Sequence, residues 1–252
     1  PQTNLNLYAR VATGFRAGGF NRDFGTSTTL PGNPATPVAY GEEKAEVYEL
    51  GAKYDHARWL SLSAALFASD YTDVLITDQG VRSAAQGGGT FNYSDNLGDA
   101  EVSGYEIEAN GAIRNAGRRG ARLAYTLAGT WFDSDLESPI RTLNGVALNG
   151  TPKFALTANG SYAVPLTGDL TVFLAPSFQF EEGGFFNIAN TQTRDTNRNL
   201  RLRAGLRSDA GWELAAAATN VLDQRYRFLY GVGFFAETPG SEVTIEFRYR
   251  TP

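Results

Sequence analysis

The sequence predicts an all-β protein, an antiparallel transmembrane β-barrel segment of about ten strands. Three observations predict it. Side chains alternate in polarity with a period of two, connections alternate between long and short, and the tryptophans stand at the ends of the alternating segments.

Alternation is clearest in three places. From Phe154 to Val164 one face reads Phe154, Leu156, Ala158, Gly160, Tyr162, Val164, and the other Ala155, Thr157, Asn159, Ser161, Ala163. From Leu200 to Arg207, Leu200, Leu202, Ala204 and Leu206 oppose Arg201, Arg203, Gly205 and Arg207. Near the end, Val243, Ile245, Phe247 and Tyr249 oppose Thr244, Glu246, Arg248 and Arg250. A strand places successive side chains on opposite faces, whereas a helix cannot hold this pattern over eight or more residues.

Ten segments follow in order. The first, 4–16, leads into a long Gly/Pro/Asn/Thr-rich stretch, 17–42, and the second, 43–55, into the tight Asp55-His-Ala-Arg58. Segment 59–76 precedes a long loop with Gly87-Gly-Gly89, and 99–114 precedes the short Asn115-Ala-Gly-Arg-Arg-Gly120. After 121–133 comes a long loop around Asn144-Gly145, and after 152–165 the short Leu166-Thr-Gly-Asp169. Segment 169–182 opens a long loop, 183–197, and 198–208 the short Ser208-Asp-Ala-Gly211. A medium loop, Tyr230 to Gly240, separates 211–227 from 240–250. Outer-membrane barrels sort loop length this way, with short turns at the periplasmic rim and long loops outside, and strands of about 9–11 residues suit a tilted crossing. Trp59 and Trp212 follow short turns and Trp131 precedes a long loop, where interfacial aromatic girdles lie. Pro176 falls mid-segment and calls for a bulge or an unpaired edge. Segment 59–76 can be phased on Leu60, Leu62, Ala64 and Leu66 or on Phe67 and Tyr71, which a bulge near Ala64-Ala65 would reconcile.

Composition agrees. The 252 residues are 42% hydrophobic, 19% charged and 12% aromatic, with 28 Gly, a mixture that suits strands. A net charge of -5 argues against nucleic acid as a partner. Cys is absent, which permits passage through an oxidising compartment; Met is absent too, and the start at Pro1 reads as a processed product or part of something longer. No apolar run approaches the roughly 18 residues of a membrane-spanning helix. Mean hydropathy is -0.28, which a barrel tolerates because only alternate residues face lipid.

Several stretches resemble TonB-dependent outer-membrane receptors. Leu7-Tyr-Ala-Arg-Val-Ala-Thr-Gly-Phe-Arg-Ala-Gly-Gly-Phe-Asn21 looks like the family's strand and Gly-Phe-x-x-Gly-Gly-Phe-Asn loop start. Glu43-Lys-Ala-Glu-Val-Tyr-Glu-Leu-Gly-Ala-Lys-Tyr54 is similar to its Glu-rich strand, and Asn220-Val-Leu-Asp-Gln-Arg-Tyr226 to its Asn-Leu-x-Asp-x-x-Tyr. Asp70-Tyr-Thr-Asp73 and Val102-Ser-Gly-Tyr-Glu106 fall between them in the family's order. Gly240-Ser-Glu-Val-Thr-Ile-Glu-Phe247 looks like the last-strand signal read by the barrel-assembly machinery, although the chain continues to Thr251-Pro252 where the family usually stops on an aromatic. The resemblance implies the final ten strands of a barrel of about 22 with a plugged lumen, the N-terminal plug and TonB box lying outside this chain. It further implies the Gram-negative outer membrane, an outer-membrane lipid surround, coupling to the TonB complex through the plug, and capture of a small extracellular ligand such as a siderophore, cobalamin, heme or glycan. No cofactor is implied. Two other classes are weighed: a free-standing ten-stranded barrel acting as a passive pore or structural protein, and a soluble β-sandwich binding module.

Candidate binding residues are the loop aromatics Phe20, Phe91, Tyr93, Phe185, Phe186, Tyr230, Phe234 and Phe235 with Asn21, suited to a flat or glycosidic ligand or equally to girdle and loop packing. Glu49, Lys53, Glu106, Glu108, Arg201, Arg203, Arg207, Glu246, Arg248 and Arg250 fall on inferred lumen faces, with Ala215 and Ala217 leaving room for long Arg side chains. They either solvate a wet wall or contact a plug and guide an anionic ligand. Enzyme chemistry is not expected: the single His, His56, sits in a short turn, and Asp70/Asp73 and Asp133/Asp135 are ordinary strand-end carboxylates. Asp195-Thr-Asn-Arg-Asn199 has calcium-loop oxygens, but Arg194 and Arg198 oppose a cation.

Overall fold

The computed structural model describes residues 3–23, 25, 35–81, 84, 87–117, 119–166, 168–231 and 234–250. Among them the first half holds β1 (Thr3–Arg16), β2 (Gly19–Phe20), β3 (Ala39–Tyr40), β4 (Glu43–His56), β5 (Leu60–Thr72), β6 (Leu75–Val81), β7 (Thr90–Asn96) and β8 (Asp99–Arg114). The second holds β9 (Arg122–Glu137), β10 (Phe154–Pro165), β11 (Leu170–Glu182), β12 (Asn197–Ser208), β13 (Trp212–Thr219), β14 (Arg227–Gly231), β15 (Phe234–Glu237) and β16 (Glu242–Tyr249).

Ten of these form one antiparallel sheet in the order β1-β4-β5-β8-β9-β10-β11-β12-β13-β16. Every strand therefore pairs with the sheet strand before and after it, the up-and-down order of a barrel wall. β1 and β16 are the two open edges, so the ten strands do not close on themselves, as a free-standing barrel requires. The remaining strands form hairpins β2/β3, β6/β7 and β14/β15, each standing inside a long connection. Long and short connections alternate as the sequence predicts.

Register assigns the faces. Leu5, Leu7, Val11 and Phe15 of β1 share a face with Leu50, Leu66, Ile107, Leu127, Leu174, Leu214, Ile245 and Phe247, reading partner to partner across the sheet. These apolar side chains are exposed, Leu5 by 63% and Ile245 by 80%, far beyond what water tolerates in one continuous patch. The opposite face carries Tyr8, Glu49, Ser63, Glu106, Thr126, Asn159, Arg203 and Glu246. Aromatics line both margins of the apolar face. Tyr105 stacks on Trp131 at 5.5 Å and Phe154 meets Phe180 at 5.9 Å toward the loops, while Trp212 opposes Tyr249 at the short-turn end.

Four expectations need correction. Segment 59–76 is two strands: β5 ends at Thr72 and β6 leaves the sheet to pair with β7. Its register against β4 runs unbroken from His56↔Leu60 to Lys44↔Thr72, so the bulge near Ala64-Ala65 does not form. Leu62 and Leu66 face the apolar side and Phe67 and Tyr71 the polar side, the two phases being the two faces. Segment 211–227 stops at Thr219, because Asn220 and Asp223 take left-handed φ of 47° and 49° and turn the chain, so the last connection runs over 220–241. β9 continues past Trp131 to Glu137, with Asp133 and Asp135 outward beyond the girdle.

Pro176 is accommodated without either a bulge or an edge. It pairs with Leu202 on β12, while toward β10 the ladder skips from Asn159↔Ser177 to Tyr162↔Leu174 with register kept. Gly160 stands opposite, where a β-carbon would come within 3.3 Å of the proline ring.

The buried hydrophobic cluster lies among the long connections and the adjoining ends of β8 and β9, not in the middle of the sheet. Val74, Phe91, Tyr93, Leu97, Ala100, Leu136, Leu143 and Ile188 pack together, flanked by Tyr71, Ile76, Ile140, Val146, Leu148 and Ala189. The sheet's own apolar face is turned outward, so the long connections must bury their apolar side chains among themselves.

Candidate functional site

The long connections build a crown at one rim of the polar face, held by side-chain amides that clasp main-chain atoms. Asn21, 8% exposed, takes the Ser94 N–H on Oδ1 and donates to the Ser94 carbonyl, both at 2.8 Å, and to Pro37 O at 3.0 Å. It acts as one more rung on the edge of β7. Asn96 accepts from Gly41 N at 2.6 Å and donates to Asp73 O at 2.7 Å. Glu43 accepts from Leu75 N at 2.7 Å and pairs with Arg16 at 3.4 Å. On the other side, Asn190 exchanges two bonds of 2.9 Å with the backbone of Ala147, joining the loop over 183–196 to that over 138–153. Gln224 donates to Thr196 O at 3.0 Å.

Asp195 and Arg227 make the strongest of these joints. Arg227 Nε and its backbone N each donate to Asp195 Oδ2 at 2.9 Å, and Nη2 donates to Oδ1 at 2.5 Å. The Arg227 hydrogen bonds hold the Asp195 carboxyl well below its usual range, at about 2. Asp195 is thus committed to Arg227, while Arg194 pairs with Glu181 at 3.4 Å and Arg198 lies over the Phe180 ring at 5.8 Å.

The loop aromatics divide. Phe20 is 83% exposed and Phe235 is exposed on β15. Phe185 and Phe186 are half-buried, Phe186 lying under Arg194 at 5.6 Å. Phe91 and Tyr93 are buried in the loop core with their rings 6.0 Å apart, and Asn21 is consumed by its clasp, so none of these three offers its side chain to the mouth. The side chains of Tyr230 and Phe234 lie outside the described residues; their backbones pair with Phe235 and Gly231 in the β14/β15 hairpin.

The charged residues expected at the lumen share the polar face of the sheet. Glu49 accepts a 2.5 Å bond from Tyr8 and lies 3.9 Å from Arg10, and Lys53 sits over the Tyr8 ring at 5.6 Å. Gly51 permits this arrangement, since a β-carbon there would meet the Tyr8 ring at 2.3 Å. Glu106 and Glu108, both on β8 and so two strands from β4, share this face, Glu108 accepting from Asn110 at 3.2 Å. Across the sheet, Arg203 reaches over the Ala215 and Ala217 positions to Glu213 at 2.6 Å and Glu246 at 3.1 Å, and Arg248 joins Glu246 at 3.1 Å. Arg201 and Arg207 are exposed on the same face, without an ion pair among the described residues. One part of the polar face is thus carboxylate-rich and another arginine-rich.

His56 lies at the opposite rim, stacked near Tyr54 and edge-on to Trp59 at 5.0 Å. Asp133 faces outward with Lys153 at 3.2 Å, and Asp73 donates its backbone N–H to Asp99. Sequence reasoning did not reach the Asn190 and Asp195–Arg227 joints, whose partners lie 43 and 32 positions apart. For the loop core a signal existed: Tyr71, Ala100 and Leu136 are apolar at lumen-face positions next to long loops.

Comparison with known proteins gives one family. The model described as "TonB dependent receptor-like, beta-barrel" matches residues 1–229. No curated protein sequence matches. Among solved structures, the ferric yersiniabactin uptake receptor FyuA from Yersinia pestis is similar over 97% of this chain and 35% of its own, with TM-score 0.74 and 21% identity. The siderophore receptor PiuA from Acinetobacter baumannii is similar over 98% and 34%, with TM-score 0.69 and 19% identity. BauA, the ferric preacinetobactin receptor of the same organism, is similar over 97% and 34%, with TM-score 0.67 and 15% identity. The chain spans about a third of the length of these structures.

Proposed function

The chain belongs to the TonB-dependent receptor-like β-barrel family, and from that premise we propose that it forms wall and mouth of an outer-membrane receptor that captures a scarce metal chelate and passes it inward. The apolar face meets outer-membrane lipid and the polar face lines the lumen. One observation carries the reading: the long connections are fastened to one another at one rim of the sheet, with Phe20 and Phe235 exposed on them. A ferric siderophore is the first ligand class to test, given the names of the similar structures. Cobalamin, heme and glycans are the others. Phe20, Phe185, Phe186 and Phe235 would supply ring contacts, and Arg201, Arg203, Arg207 and Arg248 a positive wall for an anionic chelate.

In this reading a plug domain occupies the lumen, transmits force from the TonB complex, and is contacted by Glu49, Lys53, Glu106 and Glu108. β16 is the strand presented to the barrel-assembly machinery. The test is hydroxyl-radical footprinting of the complete receptor in lipid, with and without a panel of ferric siderophores. Protection of Phe20, Phe235 and the connections over 183–196 and 220–241 by one ligand is expected; equal reactivity with every ligand would sink the proposal.

A further inference from the structure

Two observations meet on the apolar face where β11, β12 and β13 reach the long connections. The first is an arginine. Register pairs Arg198 with Phe180 and places it on the face of Leu200 and Leu202, and it is exposed. Its guanidinium lies over the Phe180 ring at 5.8 Å. Arg194 and Arg227 have carboxylate partners, but Arg198 has none within 4.0 Å among the described residues. The second is a turn. Asn220 donates to the carbonyls of Gln224 and Pro239 at 3.0 and 2.9 Å, and Asp223 accepts from Ser241 N at 2.9 Å, so the turn between them is fixed at both ends. Val221 N donates to Leu200 O at 2.8 Å, which anchors the turn beside β12, yet the side chains of Val221 and Leu222 are exposed. Over β4 to β9 the same face becomes acidic beyond the aromatics: Glu46, Asp70, Glu101 and Asp135 are register partners in one row.

We propose that Arg198 and the Val221–Leu222 turn form a headgroup site for an anionic lipid in the leaflet on the long-connection side. The site rests on the reading that the apolar face meets lipid, and adds to it one position that selects by charge. The guanidinium binds the lipid phosphate, while Phe180, Leu200, Val221 and Leu222 lie along the upper part of the acyl chains. Arginine suits such a margin, because its stem accepts an apolar surround while its head reaches polar groups. Stacking on Phe180 occupies one face of the guanidinium and leaves its in-plane N–H donors for two phosphate oxygens. Val and Leu on a fixed turn lose unfavourable contact with water when they enter the boundary between headgroups and chains. Charge selects the place. A phosphate is repelled along the carboxylate row of β4 to β9 and attracted at Arg198, with Glu182, two residues past Phe180 on the same face, bounding the site toward β10.

The experiment places the complete receptor in nanodiscs of equal parts phosphatidylglycerol and phosphatidylcholine. A benzophenone photo-crosslinker replaces Leu222 in one sample and Leu127, on the apolar face of β9, in another. Mass spectrometry of the adducts reads the headgroup. At the Leu222 position phosphatidylglycerol should exceed phosphatidylcholine about fivefold, and at the Leu127 position the two should be equal. Arg198→Gln should bring the ratio at the Leu222 position to about one. Arg198→Lys should keep a preference for phosphatidylglycerol, and Arg119→Glu, an exposed position at the opposite rim, should leave the ratio unchanged. A ratio near one in the unaltered receptor, a ratio indifferent to Arg198, or the absence of lipid adducts at the Leu222 position would overturn the site. Lipid adducts at the Leu127 position in those cases leave the lipid-facing wall standing; their absence would overturn the wall, and the site with it.

Discussion

Leu143 and Leu127 are the same residue type at nearby positions in the chain, yet they meet opposite surroundings. Leu143 is fully buried among Leu136, Tyr93 and Ile188, whereas Leu127 stands 48% exposed on the apolar face of β9. The crown is organised like a small soluble domain, with an apolar centre and polar clasps around it. The wall is inverted, keeping its charges inside and its leucines outside. Hydrophobic burial therefore stabilises the two regions through different solvents: the crown excludes water by its own packing, the wall only when hydrocarbon surrounds it.

The largest expected effect tests the crown. Leu143→Ala should cost about 2–5 kcal/mol locally, seen as faster amide exchange over 73–98 and 138–153 while β8 to β10 keep their protection. Equal loosening of strands and loops would mean that the two regions unfold as one. Next comes the wall: Leu127→Arg should destabilise the complete receptor in a bilayer by about 2–4 kcal/mol if the residue lies near mid-depth. Reversible unfolding in lipid measures it, and an unchanged midpoint would mean that this face meets something other than hydrocarbon.

The third effect is smaller and sharpens how the crown is joined. Arg227→Gln should weaken the joint to Asp195 by about 1 kcal/mol, a modest figure because both side chains are about one-third exposed. Because the folded Asp195 carboxyl titrates at about 2, below its ordinary 3.8, the joint's contribution is complete above about pH 4 and is lost as pH falls through about 2. Spin labels on the loops over 183–196 and 220–241 should hold one separation from pH 8 to 4 and spread only below; spreading near pH 6 would assign the joint to another group. The smallest stability effect belongs to Phe20→Ala, within about 0.5 kcal/mol for so exposed a side chain. Its readout is chelate affinity at an unchanged melting point, and unchanged affinity would remove Phe20 from the mouth.

Much of the wall was legible because alternation and loop length are local properties. The pattern Leu200 to Arg207 against Ala215 and Ala217 separates two faces without any knowledge of partners, and the register keeps Arg203 and Ala217 on one and Leu202 and Ala218 on the other. Strand ends were less legible: nothing in Leu75 and Ile76 distinguishes a strand that stays in the sheet from one that leaves it for β7. The crown was the least legible. Phe91 and Tyr93 look like exposed loop aromatics until β6, β7 and the loop over 138–153 close over them, and Asn21 looks like a ligand contact until Ser94 comes within reach. Such contacts depend on chain segments dozens of residues apart, which periodicity does not report.

The clasps formed by Asn21, Asn96 and Asn190 grip peptide groups, which every residue possesses. A peptide group gripped in this fashion keeps its fastening whatever exposed side chain it carries. Substitution at the rim is thereby uncoupled from its architecture: Phe20 or Phe235 can be exchanged while the asparagines keep their grip.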